Sequence, residues 1–160
     1  MKARPFYFHE IFLIFIFTIS VALVASAIAT PSNDPWPESQ TLKPADFVRE
    51  LADKSKEHPT IVYVGFRTLF AGGHIPGATF HGTTSAEEGL AEFTKWAATL
   101  PRTTSLVIYC GCCPLEKCPN IRPAFTALNN LGFKNVRVLV LPTSFAKDWA
   151  EKNYPYEKGM

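Results

Sequence analysis

The chain has 160 residues, a formal net charge of +2, and 47% apolar against 19% charged residues. That length suits one domain rather than two. The near-neutral charge excludes the basic footprint of a nucleic-acid binder, and the apolar content excludes disorder over most of the chain. No internal repeat or low-complexity tract interrupts it.

The first thirty residues stand apart. Lys2 and Arg4 precede an apolar run from Ile11 to Val24, broken only by Thr18 and Ser20, and small residues follow at Ala25-Ser26-Ala27 and Ala27-Ile28-Ala29. This is the layout of a secretory signal peptide. It predicts a signal segment over 1–29, cut after Ala27 or Ala29, and a periplasmic or secreted mature protein. A membrane anchor through residues 11–29 is the other reading, although the apolar run is short for a full span. Outside the cytoplasm disulfides form and persist, which matters for a chain with four cysteines. Residues 30–40, TPSNDPWPESQ, hold three prolines and read as a linker, leaving 41–160 as the folded domain.

Pro44 sits where a first helical turn begins, and Phe47, Val48, Leu51 and Ala52 predict an amphipathic helix to about Lys54. Thr60 to Gly65 is a β-branched apolar run of the kind found in buried parallel strands. A polar turn with Gly72-Gly73 follows. Ser85 is placed to cap a second helix, with Glu87 and Glu88 in its first turn and Leu90, Phe93, Trp96, Ala97 and Leu100 on its apolar face before Pro101 stops it. Ser105 to Tyr109 predicts a second strand running into Cys110. Arg122 to Leu131 predicts a helix capped by Gly132, Val136 to Leu141 a third strand, and Ser144 to Lys152 a last helix. The alternation implies an α/β fold, a parallel β-sheet with helices on both faces and right-handed crossovers. Ligands bind such sheets beyond the carboxyl ends of the strands, where Cys110 lies.

Several strings in this order resemble the rhodanese family of sulfurtransferases. Gly73-His-Ile-Pro-Gly-Ala78 looks like the family's GHIPGA segment, Leu106-Val-Ile-Tyr109 before Cys110 like its VVYC, and Leu131-Gly-Phe-Lys-Asn-Val136 like its LGYKNV. Trp149 and Tyr154-Pro155 resemble its closing residues, so the similarity runs from about Leu42 to Lys158. It implies a rhodanese-like three-layer fold with Cys110 as the sulfur-carrying nucleophile. The chain also departs from the pattern. Tyr63-Val64-Gly65 stands where rhodaneses carry Asp-Val-Arg. Ser144-Phe145 stands where they carry Gly-Gly. The loop after Cys110, Gly-Cys-Cys-Pro-Leu-Glu-Lys-Cys118-Pro-Asn-Ile-Arg122, is longer than theirs.

All four cysteines fall between positions 110 and 118, a density that marks a site. A strand-to-helix loop points its backbone N–H groups inward, which predicts a thiolate at Cys110 with a pKa below the free value of about 8.5. Gly111 lets the backbone approach closely. Cys112, Cys113 and Cys118 are the candidate resolving or redox partners, and a pairing of Cys118 with Cys112 or Cys113 is one possibility that spacing cannot choose among. Dense thiolates also suit a soft ion such as Cu(I) or Zn, though the spacing lacks the paired C-x2-C units of a zinc ribbon, and a purely structural disulfide is the third reading. Gly111 and Arg122 are the candidate substrate-binding residues, with Glu116 an alternative partner for Arg122. His74 reads as part of a packing corner, and Phe93, Trp96, Phe125 and Trp149 as core. No phosphate loop or nucleotide fingerprint is present, so no cofactor is expected. The expected partners are a small sulfur-containing substrate or a thiol protein, acting on a monomer.

Overall fold

In the computed structural model of the chain, residues 34–160 are described. The signal segment over 1–29 and the start of the linker lie outside them. Five parallel strands form one sheet: β1 (Thr41–Leu42), β2 (Thr60–Tyr63), β3 (Thr79–Phe80), β4 (Leu106–Tyr109) and β5 (Val136–Leu139), in the order β1-β5-β4-β2-β3. Among the described residues five α-helices accompany them: α1 (Pro44–Ala52), α2 (Arg67–Gly72), α3 (Glu87–Ala98), α4 (Ile121–Asn130) and α5 (Phe145–Asp148).

The period-two alternation of the strands sorts the core into two layers. Val62, Leu106, Ile108 and Val138 face α3 and α4, where Phe93, Ala97, Phe125 and Leu128 are buried. Ile61, Tyr63, Val107, Tyr109 and Leu139 face the other way, onto Phe47 of α1, Phe70 of α2 and Trp149. β4 is buried on both faces and lies between β2 and β5, as expected of a central parallel strand. The predicted α/β architecture, helices on both faces of a parallel sheet, is the one observed.

The sheet has two strands more than the three predicted. β1 and β3 are two residues long, too short to show any periodicity. α2 was also missed: it occupies the predicted polar turn, and Phe70 is its one buried residue. Ser85 is not the cap of α3. Ala86 precedes the helix without a side-chain cap, and the Ser85 backbone N–H donates instead to Asn120 Oδ1 at 3.0 Å. The predicted 144–152 helix divides at Trp149 into α5, capped by Ser144 Oγ accepting from the Lys147 N–H, and a 3-10 turn at Ala150–Lys152. Val62, Val64, Val107, Ile108 and Val138 are buried as expected, but Val140 is half-buried because β5 ends at Leu139.

Two contacts fix the segments around the carboxyl ends of the strands. The Ile75 N–H donates to Tyr109 Oη at 3.0 Å, and His74 Nδ1 donates to the Phe70 carbonyl at 2.8 Å while its backbone bridges Glu157. His74 thus serves as a packing corner. The Trp149 indole N–H donates to the Pro155 carbonyl at 2.7 Å, anchoring the C-terminal segment. Among the described residues no helix is long and apolar enough to cross a membrane. Trp149 is fully buried against Phe47. Its replacement by alanine is expected to cost about 3–5 kcal/mol, a large part of the ~5–15 kcal/mol stability of a domain, as a fall in the urea midpoint. A change under about 0.5 kcal/mol would show that α5 and the C-terminal segment do not depend on this side chain.

Candidate functional site

β4 delivers Cys110 to the carboxyl edge of the sheet, beside the start of α4. The next residue turns the chain. Gly111 has φ +74°, a left-handed conformation that favours glycine, and a Cβ there would lie 2.7 Å from the Phe145 Cβ. Its carbonyl accepts from the Phe145 N–H at 2.9 Å, tying the loop to α5. A 3-10 turn at Leu115–Lys117 then brings the chain back so that Cys118 is buried under the first turn of α4.

The turn gathers the sulfurs. Cys110, Cys112 and Cys118 Sγ atoms lie within 4.8 Å of one another. The Cys110 thiol donates to Cys112 Sγ at 3.0 Å, and Cys113 Sγ is 3.3 Å from Cys112 Sγ. All four are free thiols; Cys110 and Cys118 are buried, Cys112 and Cys113 half-buried. Arg122 does not pair with Glu116. Its guanidinium donates to the Leu115 carbonyl at 3.4 Å and the Cys118 carbonyl at 3.2 Å, pairs with Asp34, and lies over the Trp36 ring. In this arrangement it clamps the outer turn of the cysteine loop against the segment that precedes β1.

Charge within the cluster is unevenly placed. The Cys118 thiol is pulled down to about 5: the neighbouring Cys110 thiol, within 4.8 Å, favours its charged form most, burial opposes, and the backbone N–H groups of Asn120 and Ile121 at the start of α4 lower it further. Cys110 is pushed up, first by the neighbouring Cys118 sulfur and then by burial, and so keeps its proton. Burial pushes Cys113 up to about 12. The helix-start amides that the sequence assigned to Cys110 therefore act on Cys118, because the long loop returns that residue, not the strand-end cysteine, to the head of α4.

Four further residues shape the site and were not singled out from sequence. Asn120 is fully buried; its Nδ2 donates to Cys110 Sγ at 3.5 Å and Cys112 Sγ at 3.8 Å, and its Oδ1 accepts from Ser85. Thr84 donates from Oγ1 to the Asn120 carbonyl at 2.6 Å and lies close to the Val64 carbonyl, joining β2 to the head of α4. A Cβ at Gly65 would fall 2.8 Å from Cys110 Sγ and 2.6 Å from Tyr63 Oη, so this position has no room for a side chain. Tyr63 Oη is buried and unpartnered among the described residues, close to the sulfurs. The Tyr63-Val64-Gly65 departure from the family string was a visible signal for the last two; Asn120, next to Cys118-Pro119 at the helix start, offered a weaker one.

Two outcomes follow from this geometry. Cys118 has a lowered pKa in the folded state, so its thiolate contributes stability in full above the ordinary thiol range and loses it as pH falls through about 5. The ultraviolet thiolate absorbance of the reduced protein should show a step near that pH that vanishes in Cys118→Ser; a parent with no thiolate below the ordinary thiol range contradicts the assignment. Replacing Asn120 with alanine is expected to lower stability by about 1–3 kcal/mol in denaturant unfolding, and an unchanged midpoint would mean that its hydrogen bonds do not hold the loop.

No family model matches the sequence, and no curated protein matches it. Solved structures do. A BH2092 protein from Bacillus halodurans aligns at 22% identity and a TM-score of 0.57, covering 75% of this chain and 77% of that one. The Alr3790 protein from Anabaena, whose rhodanese-like domain has also been solved, aligns at 19% identity and 0.55, covering 73% and 82%. A thiosulfate sulfurtransferase from Pseudomonas aeruginosa aligns at 21% and 0.51, over 75% of this chain and 19% of that one. The shared parallel sheet with its flanking helices places the described residues in the rhodanese-like fold.

Proposed function

We propose that this chain is an exported sulfur-transfer or thiol-exchange protein that carries sulfane sulfur, as a persulfide or mixed disulfide, on Cys110. The supporting observation is the clustering of three sulfurs within 4.8 Å at the carboxyl end of the central strand, where open α/β sheets hold their ligands. The fold is shared with a protein named as a thiosulfate sulfurtransferase.

The residues divide the work as follows. Cys118 carries negative charge under the α4 amides and is the group that takes the proton of the thiol attacking the donor. The Cys110 sulfur forms a bond to the transferred sulfane sulfur while the S–S bond that held that sulfur breaks and the departing sulfur keeps the electron pair. The product persulfide is anionic, and the neighbouring donors are Asn120 Nδ2 and the unpartnered Tyr63 hydroxyl. Cys112 and Cys113, half-buried beside it, are the thiols that resolve the persulfide or pass it on. Gly111 keeps the backbone close to the sulfurs, and Arg122 acts on the substrate only through the loop it clamps. The partner is a small sulfur compound or a thiol protein, and the chain acts as a monomer without nucleic acid.

A second reading rests on the same three sulfurs: a soft-ion site for Cu(I) or Zn. Single-turnover incubation with inorganic polysulfide, followed by intact mass, separates the two. The parent is expected to gain and keep one sulfur atom, and Cys110→Ser, near-isosteric, is expected to fold and lose that retention. Retention by Cys110→Ser equal to the parent moves the carrier role to another thiol. A parent that loads from no donor, but whose thiols are protected from alkylation until a chelator is added, is a metal protein instead.

A further inference from the structure

A cavity of about 450 Å³ lies beside the cysteine loop. Gly111 and Cys112 form one wall, and Leu69 of α2, Phe145 of α5 and Tyr156 of the C-terminal segment form others. Among the described residues Lys158 is the only charged residue in its lining, beside the hydroxyls of Tyr63, Thr68, Ser144 and Tyr156, and Cys112 is the only cysteine; Cys110, Cys113 and Cys118 do not reach it. Leu69 and Tyr156 are 48% and 44% exposed, two of the few large apolar side chains that the described surface leaves open to water. Arg122, the one arginine in contact with the loop among the described residues, is engaged by Asp34 and by loop carbonyls. A pocket of this size with largely apolar walls and a few neutral hydroxyls suits an organic ligand, and one lysine with neutral hydroxyls is a poor receptor for a compact dianion, which calls for several aligned charged donors.

We propose that sulfur enters at Cys112, and that its donor is a small organic persulfide whose apolar body occupies this cavity, rather than an inorganic sulfur oxyanion such as thiosulfate. The proposal rests on the sulfur-transfer reading and deepens it by naming the entry thiol and the substrate class. The chemistry balances without an added oxidant. Cys112 gives its proton to the Cys118 sulfur, and its own sulfur bonds to the outer sulfur of R–S–SH. The donor's S–S bond breaks and the pair leaves with R–S as thiolate. Cys112 now carries S–SH. Cys110 Sγ, 3.0 Å from Cys112 Sγ, then takes that outer sulfur: a new S–S bond forms on Cys110 as the one on Cys112 breaks, and the Cys110 proton goes to the departing Cys112 sulfur.

The test uses the reduced full-length chain and three donors: benzyl hydropersulfide, thiosulfate and inorganic polysulfide. Sulfur loading is followed by intact mass in single turnover. Benzyl hydropersulfide is expected to load the parent at least about tenfold faster than thiosulfate, a difference of about 1.4 kcal/mol. Cys112→Ser is expected to lower the benzyl rate by about tenfold or more. Leu69→Asp, at an exposed position where folding is not at stake, is expected to lower the ratio of benzyl to polysulfide rates by a similar factor. Thiosulfate loading as fast as benzyl hydropersulfide, or Cys112→Ser loading at the parent's rate, overturns the proposal. A parent that loads from polysulfide but not from benzyl hydropersulfide also overturns it, while leaving the sulfur-transfer reading standing. Loading from none of the three sinks that reading itself, and this proposal with it.

Discussion

Three thiols held within 4.8 Å of one another cannot all ionise. Like charges at that separation oppose each other strongly in a buried site, and the protons of such a cluster belong to the group rather than to single residues. Most of the local structure decides where the first charge goes. The head of α4 supplies backbone N–H groups, the loop returns Cys118 to them, and Cys110 keeps its proton to share with that sulfur. The cluster is thereby poised with one thiolate and neighbouring thiols that can pass a proton or a sulfur atom over a distance of about one contact.

The fold holds this arrangement through short backbone devices. Gly111 turns in the left-handed region because Phe145 leaves no room for a side chain. Gly65 leaves space for the Cys110 sulfur at the end of β2. Asn120 reaches from the loop to the Ser85 backbone with one end of its amide and to two sulfurs with the other. Arg122 closes the outer turn by taking its carbonyls. The site is a property of the junction between β4 and α4, with the segment after β2, the segment before α3, and α5 contributing fixed contacts.

Much of the fold was legible in the residues because burial writes a pattern. The continuous apolar runs at 60–64 and 106–109 read as buried parallel strands, and the spacing of Phe93 and Ala97 gave α3 its inward face. β1 and β3 left no pattern, since two residues cannot show a period, and the 144–152 helix broke at Trp149 because burying the indole took precedence over helical continuity. At the site, the gathering of cysteines was plain from sequence, and so was the role of Gly111 in a tight approach. The position of the charge was not. It depended on how far the long loop returned, and thus on Cys118 rather than Cys110 meeting the helix start. The contribution of Asn120 was nearly hidden, because hydrogen bonds between distant segments leave no local signature, whereas the Tyr63-Val64-Gly65 departure at least marked the place of Tyr63.

The central claim is that the cluster holds sulfur at one defined position. The most direct measurement is to load the reduced protein with excess inorganic polysulfide, block the free thiols, and locate the retained sulfur by tandem mass spectrometry of the peptide spanning residues 110–118. The account predicts one sulfane sulfur per chain, located on Cys110. Sulfur spread evenly over the four cysteines, or none retained at all, would contradict it.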